Sequence, residues 1–297
     1  MTIVVTGASG LLGSALVRAL EDDGHEVRRL VRREPAGPQE WSWDPMGGVL
    51  DRAALRGADA VVHLAGAGVG DRRWSDAYKR ELVDSRVLGT GTLARALASL
   101  DEGPRTLLSA SAVGFYGDTG DRAVDETAPP GTGFLADLAR EWEAALAPAE
   151  EAGLRVVPMR TGVVLSGRGG ALAKILPIFK MGAGAPLGSG RQYVSWISLP
   201  DWVGAVRFLL GREGIAGPVN LTAPEPVTNR EYTQAIAAAL HRPVMPVAAP
   251  PFALRLALGE FADEAVLAGQ RVLPRRLLDA GHRFAHPRVA DALAAVL

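Results

Sequence analysis

The sequence predicts an α/β fold, a doubly wound parallel sheet with a smaller, mostly helical region after it. Three observations predict this. A β-branched run, Ile3 to Val5, ends in a glycine-rich turn and leads directly into apolar residues at helical spacing. Strand-like apolar runs then alternate with helical stretches as far as Leu165, the pattern of a parallel sheet with helices on both faces. Beyond Leu165 the texture changes to segments dense in Gly and Pro.

Each element has its own local reason. Leu11 to Leu20 carries apolar residues at helical spacing, and Gly24 stops the helix. "HEVRRLV" (His25 to Val31) reads as the second strand and "ADAVVHLAG" (Ala58 to Gly66) as the third. A long helical pattern runs from Asp76 to Leu100, before a fourth strand, "RTLLSAS" (Arg105 to Ser111). Phe134 to Ala152 reads as one helix with Gly153 as its C-cap, and "LRVVPMR" (Leu154 to Arg160) as the fifth strand. Strands separated by helices of this length pair in parallel. Ser166 to Gln192 is dense in Gly and Pro243 to Pro251 in Pro, and both read as excursions from the sheet. "GPVNLTA" (Gly217 to Ala223) reads as one more strand, and Pro251 to Leu297 as short helices. The expected organisation is a Rossmann-type domain over residues 1–165, completed by about 196–223, with 166–195 and 224–297 on the substrate side.

Composition narrows the classes of function. A chain of 297 residues with 48% hydrophobic residues can bury a large core. A formal net charge of -1 provides no global field for nucleic acid or an anionic membrane. The absence of cysteine excludes disulfides, thiolate metal sites and Cys nucleophiles, and no metal site is expected. The opening "MTIVVTGASG" lacks the basic region and long apolar run of a secretory signal. The expectation is a soluble cytoplasmic protein that acts on a small molecule.

The turn "TGASGLLG" (Thr6 to Gly13) places Gly7, Gly10 and Gly13 between a strand and a helix. In that position glycines let the backbone turn tightly and approach a pyrophosphate, which meets the free N–H groups of the helix N-terminus. The same glycines would also serve a tight turn with no ligand. At the end of the second strand, where NAD binding places Asp or Glu, this chain has Arg32 and Arg33. A guanidinium suits a ribose 2′-phosphate, so the residues favour NADP, against the alternative of a solvated basic turn.

Taken together, these residues resemble a family. "TGASGLLG", "HLAGAGVGDRRWSDAYKRELVDSRVLGT" (His63 to Thr90), "SASAVGFYG" (Ser109 to Gly117), "REWEAA" and "RTGVVLSGRGGAL" carry the resemblance through the first part of the chain. "PLGSGRQYVSWISLPD" (Pro186 to Asp201) and "LAGQRVLPRRLLDAGHRF" (Leu267 to Phe284) extend it over essentially the whole length. The chain is similar to atypical, extended-type short-chain dehydrogenases/reductases, the "epimerase family proteins". These are NAD-dependent epimerase/dehydratase relatives with an added C-terminal domain of unknown function. Ser198 departs from the pattern, which more often has His there. The resemblance implies cofactor contacts at Gly7, Ser9, Gly10, Leu11, Leu12 and Gly13, at Arg32 with Arg33 beside it, and at Leu64, Ala65 and Gly66. It further implies Glu81, Arg86 and Val164. Without it, Glu81 and Arg86 read as two solvated helix charges about 140° apart around the axis.

One motif of that superfamily is missing. Its Tyr-x-x-x-Lys pair supplies the acid–base group and its supporting cation, but "GFLADLAREWE" (Gly133 to Glu143) has Leu135 and Ala139 in that frame. Neither side chain exchanges a proton. Ser111 and, close by, Tyr116 remain as catalytic candidates, with Tyr116 as acid–base group and Ser111 as its hydrogen-bonding partner. The alternative is that Tyr116 is a core residue. Two functions follow: an NADP(H)-dependent oxidoreductase or epimerase on a small carbonyl or sugar-like substrate, or a non-catalytic NADP(H) sensor. Val266 to Leu273 is expected to pack beside the substrate cleft and the Gly182 to Gly190 segment, with Pro274 breaking a helix.

Overall fold

In the computed structural model, which describes residues 1–297, the chain begins with β1 (Thr2–Thr6), α1 (Leu11–Asp22), β2 (Glu26–Val31), β3 (Glu40–Asp44) and β4 (Val49–Leu50). It continues through β5 (Ala60–His63), α2 (Asp76–Ala98), β6 (Thr106–Ala112), β7 (Ala123–Val124), α3 (Phe134–Ala144), α4 (Ala147–Glu151), β8 (Arg155–Thr161) and β9 (Val163–Leu165). Then come α5 (Gly170–Lys180), β10 (Tyr193–Val194), β11 (Trp196–Ser198), α6 (Leu199–Leu210), β12 (Val219–Leu221), β13 (Val227–Thr228) and α7 (Asn229–Ala239). The C-terminal segment holds α8 (Pro251–Leu258), β14 (Arg271–Val272), α9 (Arg275–Asp279) and α10 (Val289–Val296).

Eight strands form one sheet in the order β12-β8-β6-β5-β1-β2-β3-β4. Every pairing is parallel except the β3–β4 hairpin at one edge. Alternate residues face opposite layers, as a strand requires. Ile3, Val5, Val62, Leu108, Val157 and Met159 pack in one cluster with Leu16 and Leu20 of α1 and Trp202 and Val206 of α6. Val4, Val61, Leu107 and Val156 pack in another with Leu93 and Leu97 of α2. A sheet buried on both faces explains why its strands read as continuous apolar runs. The chain leaves β1 toward β2 on one side and returns toward β5 on the other. The crevice for a ligand therefore opens between the carboxyl ends of β1 and β5.

Three of the features that the sequence does not predict have clear local causes. The strand β3 is "EWSWD", too short and polar to stand out, yet it alternates, with Trp43 buried and Trp41 beneath the Arg28 guanidinium. The Gly-dense stretch contains a true helix, α5, whose Leu172, Leu176 and Phe179 form its buried stripe despite Pro177 inside it. Phe134 to Ala152 is two helices rather than one, with Pro148 in the first turn of the second.

The glycine turn shows how tightly the crevice is built. Gly7 has φ +67°, and a Cβ there would lie 2.8 Å from the Leu64 carbonyl group. A Cβ on Gly13 would overlap the carbonyl oxygen of Gly7. Gly13→Ala should therefore destabilise the fold by about 2 kcal/mol or more, the range for overpacking a site whose neighbour is backbone. Chemical denaturation with an unchanged m-value would check this.

Candidate functional site

The turn between β1 and α1 ends on Gly10, which caps the helix with no side-chain hydrogen bond. Ser9 and Gly10 are exposed and Leu11 and Leu12 half-buried. The first-turn N–H groups of α1 thus face the crevice rather than a capping side chain. Val164 adjoins this turn from β9: its carbonyl oxygen and the Leu11 side chain both bound the space above Gly170.

The opposite lip is the end of β5. Leu64 and Ala65 donate their backbone N–H groups to the Thr6 hydroxyl at 3.0 and 3.2 Å. With both lone pairs occupied, that hydroxyl donates to His63 Nδ1 at 2.7 Å. His63 must then carry its proton on Nε2, which faces the Thr90 hydroxyl at 3.1 Å. The Trp142 indole also donates to Thr90. His63 is a fully buried anchor, and burial lowers its pKa to about 4.

The two arginines after β2 differ. Arg33 makes a bidentate pair with Glu40 at 2.6 and 2.7 Å, and that hydrogen bonding lowers the Glu40 pKa to about 2. Arg32 is exposed, and its guanidinium has no hydrogen bond or ion pair. Arg86 is buried, and burial lowers its pKa to about 10. It donates to the carbonyl oxygens of Leu82 and Ala67 and lies over the Trp142 ring at 4.8 Å. Its partners are all neutral, and the Gly66 backbone runs beside it. Glu81 lies elsewhere, exposed on α2 and paired with Arg72 at 3.2 Å.

Ser111 and Tyr116 belong to a network the sequence reading missed. Ser111, Arg160 and Asn220 occupy one row across β6, β8 and β12. Arg160 makes a bidentate pair with Glu143 at 2.7 and 2.8 Å. Ser111 donates to the same carboxylate at 2.6 Å. The third Arg160 contact is to the Tyr116 hydroxyl at 3.0 Å, and Tyr116 donates to Asn220 at 2.7 Å. Burial opposes the Arg160 charge, but Glu143 and Tyr116 together more than offset it and hold the guanidinium above its ordinary range. Burial likewise pushes the Tyr116 pKa up, and Arg160 offsets only part of it.

This placement corrects the expected pairing. Ser111 and Tyr116 do not bond to each other: Glu143 and Arg160 stand between them. Tyr116 is 2% exposed with both sides of its hydroxyl engaged. In the position described it braces the sheet edge and is not presented to a ligand. The reason is local. Val113 to Tyr116 form a single 3-10 turn, which turns about 120° per residue. That turn places Gly114 toward the open cleft and the Tyr116 ring inside. Ala139 is buried against Phe115 and Tyr116, so it is no part of an open apolar wall, whereas Leu135 is. Glu143, one turn on from Ala139, was legible as the same helix face at i, i+4, i+8.

Beside Leu135 lies a cleft of about 270 Å³, walled by Gly114, Thr132 and Leu135 on one side and by Glu264, Leu267 and Gln270 on the other. Leu267 also packs on Gly188. The C-terminal segment therefore meets both the cleft and the Gly182 to Gly190 segment, as expected. The chain there is not a helix broken at Pro274: one π-helical turn over Ala262–Leu267 gives way to β14, and Pro274 starts α9. Ser198 caps α6 and touches His286, a structural duty for the position that departs from the pattern.

A sequence profile of the NAD dependent epimerase/dehydratase family matches residues 3–221, and one described as a domain of unknown function matches residues 249–296. The chain belongs to the NAD dependent epimerase/dehydratase family. An epimerase family protein of Mycobacterium bovis is 51% identical over 98% of this chain and 96% of its own. The crystal structure of human epimerase family protein SDR39U1 with NADPH superposes with a TM-score of 0.91 at 32% identity, covering 100% of this chain and 99% of that one. A Corynebacterium glutamicum protein named nucleoside-diphosphate sugar epimerase gives a TM-score of 0.83 at 38% identity, with all of this chain spanning 58% of it. No helix of the chain is long and apolar enough to cross a membrane.

Two outcomes follow from this geometry. Tyr116→Phe leaves Arg160 and Asn220 each short of a buried partner, and should cost about 1–3 kcal/mol of stability by denaturant titration. His63 has a folded pKa below its unfolded value, so the unfolded chain binds the proton first as pH falls. Stability should be level above about pH 6.5 and fall by about 3 kcal/mol toward pH 4. A His63→Gln variant should lose that part of the pH dependence when denaturation is followed across the same range.

Proposed function

We propose that the chain is an NADP(H)-binding oxidoreductase or epimerase for a small carbonyl or sugar-like substrate. The observation that carries the cofactor is the unpaired Arg32 guanidinium at the end of β2, beside an Arg33 already held by Glu40. A 2′-phosphate suits such a free guanidinium, which can bind it with two parallel hydrogen bonds. The uncapped N-terminus of α1 fits the pyrophosphate. Arg86, a buried cation with only neutral partners, fits the nicotinamide ribose side of the crevice. The dinucleotide, when bound, supplies hydride chemistry at its nicotinamide ring. The residues of the chain orient it: Gly7, Ser9, Gly10, Leu11, Leu12 and Gly13 at the turn, Leu64, Ala65 and Gly66 at the β5 lip, and Val164 beside Leu11. Glu81 keeps a place in this proposal as an outer contact only, because Arg72 holds it at the surface. Ser111 and Tyr116 act here as positioning residues that set the β6 edge beneath the cleft.

A second reading, a non-catalytic NADP(H) sensor, is favoured by one observation. In the frame of the lost Tyr and Lys, Leu135 lines the cleft, Ala139 is buried away from it, and Tyr116 is turned inside. NADPH oxidation measured over a panel of small carbonyl compounds separates the two. Stereospecific hydride transfer to any of them establishes the enzyme.

NADPH should bind at least about tenfold more tightly than NADH, which requires about 1.4 kcal/mol. Arg32→Ala should abolish the preference with little effect on NADH, and Arg33→Ala should do less, because Arg33 is spent on Glu40. Calorimetric titration of the three proteins reads this directly, and equal affinities in the unaltered chain would exclude it.

A further inference from the structure

We propose that the cleft beside Leu135 takes a small uncharged or cationic polar ligand, and that Glu264 is the residue that selects it. This rests on reading that cleft as the substrate site. The place is the carboxyl edge of a parallel sheet, where the C-terminal segment closes over the turn after β6 and the start of α3.

Glu264 reaches this wall from the π-helical turn. Its carboxylate accepts the Leu135 N–H at 3.1 Å and lies against Gly133, where a Cβ would be 2.7 Å from Oε1. No Lys or Arg pairs with it. Its direction is thus fixed at the N-terminus of α3, where it meets the partial positive charge of the helix but no full countercharge, and one oxygen is free to accept a hydrogen bond. Asp118 stands in the same wall and accepts only backbone N–H groups, those of Gly120 and Gly269. Asp263 is matched by Arg255. No Lys or Arg lines the cleft. Of the arginines on neighbouring segments, Arg271 donates to the Asp121 carbonyl and lies over Tyr193, and Arg191 faces Asp121 at the surface.

A diphosphate brought to this wall meets two carboxylates without a Lys or Arg partner, a third held by Arg255, and no lining cation. One like-charge pair at about 6 Å, at an effective dielectric of about 20, already weakens binding on the order of a hundredfold. A hydroxyl or ammonium donor meets the opposite. The volume, about 270 Å³, falls just below the range of about 300–1,000 Å³ for ligand sites, which also favours a small molecule over a nucleotide sugar.

The test is ligand-observed NMR with three probes, UDP-glucose, glucose and glucosamine, on the full chain with and without NADPH, alongside a separate NADPH titration. Glucosamine should bind the unaltered chain saturably in the millimolar range and more tightly than glucose, and UDP-glucose should not saturate. Glu264→Gln keeps an acceptor for the Leu135 N–H, so it should fold with an unchanged melting temperature and weaken glucosamine at least about tenfold. Saturable UDP-glucose binding in the cleft overturns the proposal, as does glucosamine binding that is absent or indifferent to Glu264→Gln. The NADPH titration stands apart: its failure removes the dinucleotide reading and leaves the probe results to decide the ligand class.

Discussion

The structure depends on how closely the backbone after β1 approaches the backbone after β5. Gly7 touches the Leu64 carbonyl group and Gly13 rests on Gly7, so α1 starts where the strand order reverses and its free N–H groups face the crevice. Glycine at both positions is a geometric requirement. What keeps the two strand ends at that distance is polar. The Thr6 hydroxyl draws in the N–H groups of Leu64 and Ala65, and His63 holds that hydroxyl in place from beneath. A buried imidazole is a costly way to hold a strand end, since its protonation opposes folding. Its benefit is direction, because one ring satisfies Thr6 on one side and Thr90 on the other.

A second polar system organises the other half of the same sheet edge. Ser111, Glu143, Arg160, Tyr116 and Asn220 form a continuous chain of hydrogen bonds. Arg160 is buried and stacks on Phe115 at 3.4 Å. A buried guanidinium is tolerable only because a bidentate carboxylate and a phenol complete its hydrogen bonds. This system occupies the space beneath the helix face whose frame the resemblance assigns to Tyr and Lys. The face is not empty for want of those residues. It carries Leu135 at the cleft, Ala139 packed on Tyr116, and Glu143 bound to Arg160.

The parts legible in the sequence were those with periodicity or glycine spacing. The strands β1, β2, β5, β6, β8 and β12 and the helices α1 and α2 were readable because burial on one or both faces leaves an apolar imprint. The turn was readable because its glycines sit at fixed offsets. What escaped has a physical reason in each case. The strand β3 is short, lies next to the edge of the sheet, and alternates its tryptophans with polar residues. The helix α5 hides in a segment whose flanking glycines dominate its composition. The polar network escaped because its members are 109 residues apart from Ser111 to Asn220 in sequence, and adjacency across β6, β8 and β12 is set by sheet order. Tyr116 was misread for a related reason: its direction depends on a single 3-10 turn, which spacing alone does not reveal.

The C-terminal segment explains how a cleft can be set accurately although its two walls come from distant parts of the chain. Asn220, the last buried residue of the Tyr116 network, donates its side-chain amide to the Leu273 carbonyl, and the Glu126 carboxylate receives both the Asn220 N–H and the Arg276 N–H. β14 meanwhile pairs with β7, and Ser195 bonds to both Gln270 and Val272. The segment from Gln270 to Arg276 is therefore stitched to the sheet edge by backbone and buried polar contacts. The cleft wall just before it, Glu264 to Gln270, has little freedom left to move, and Glu264 closes the loop by capping α3. The same sheet edge that turns Tyr116 inward thus fixes, through Asn220 and Leu273, where a carboxylate from the far end of the chain stands beside Leu135.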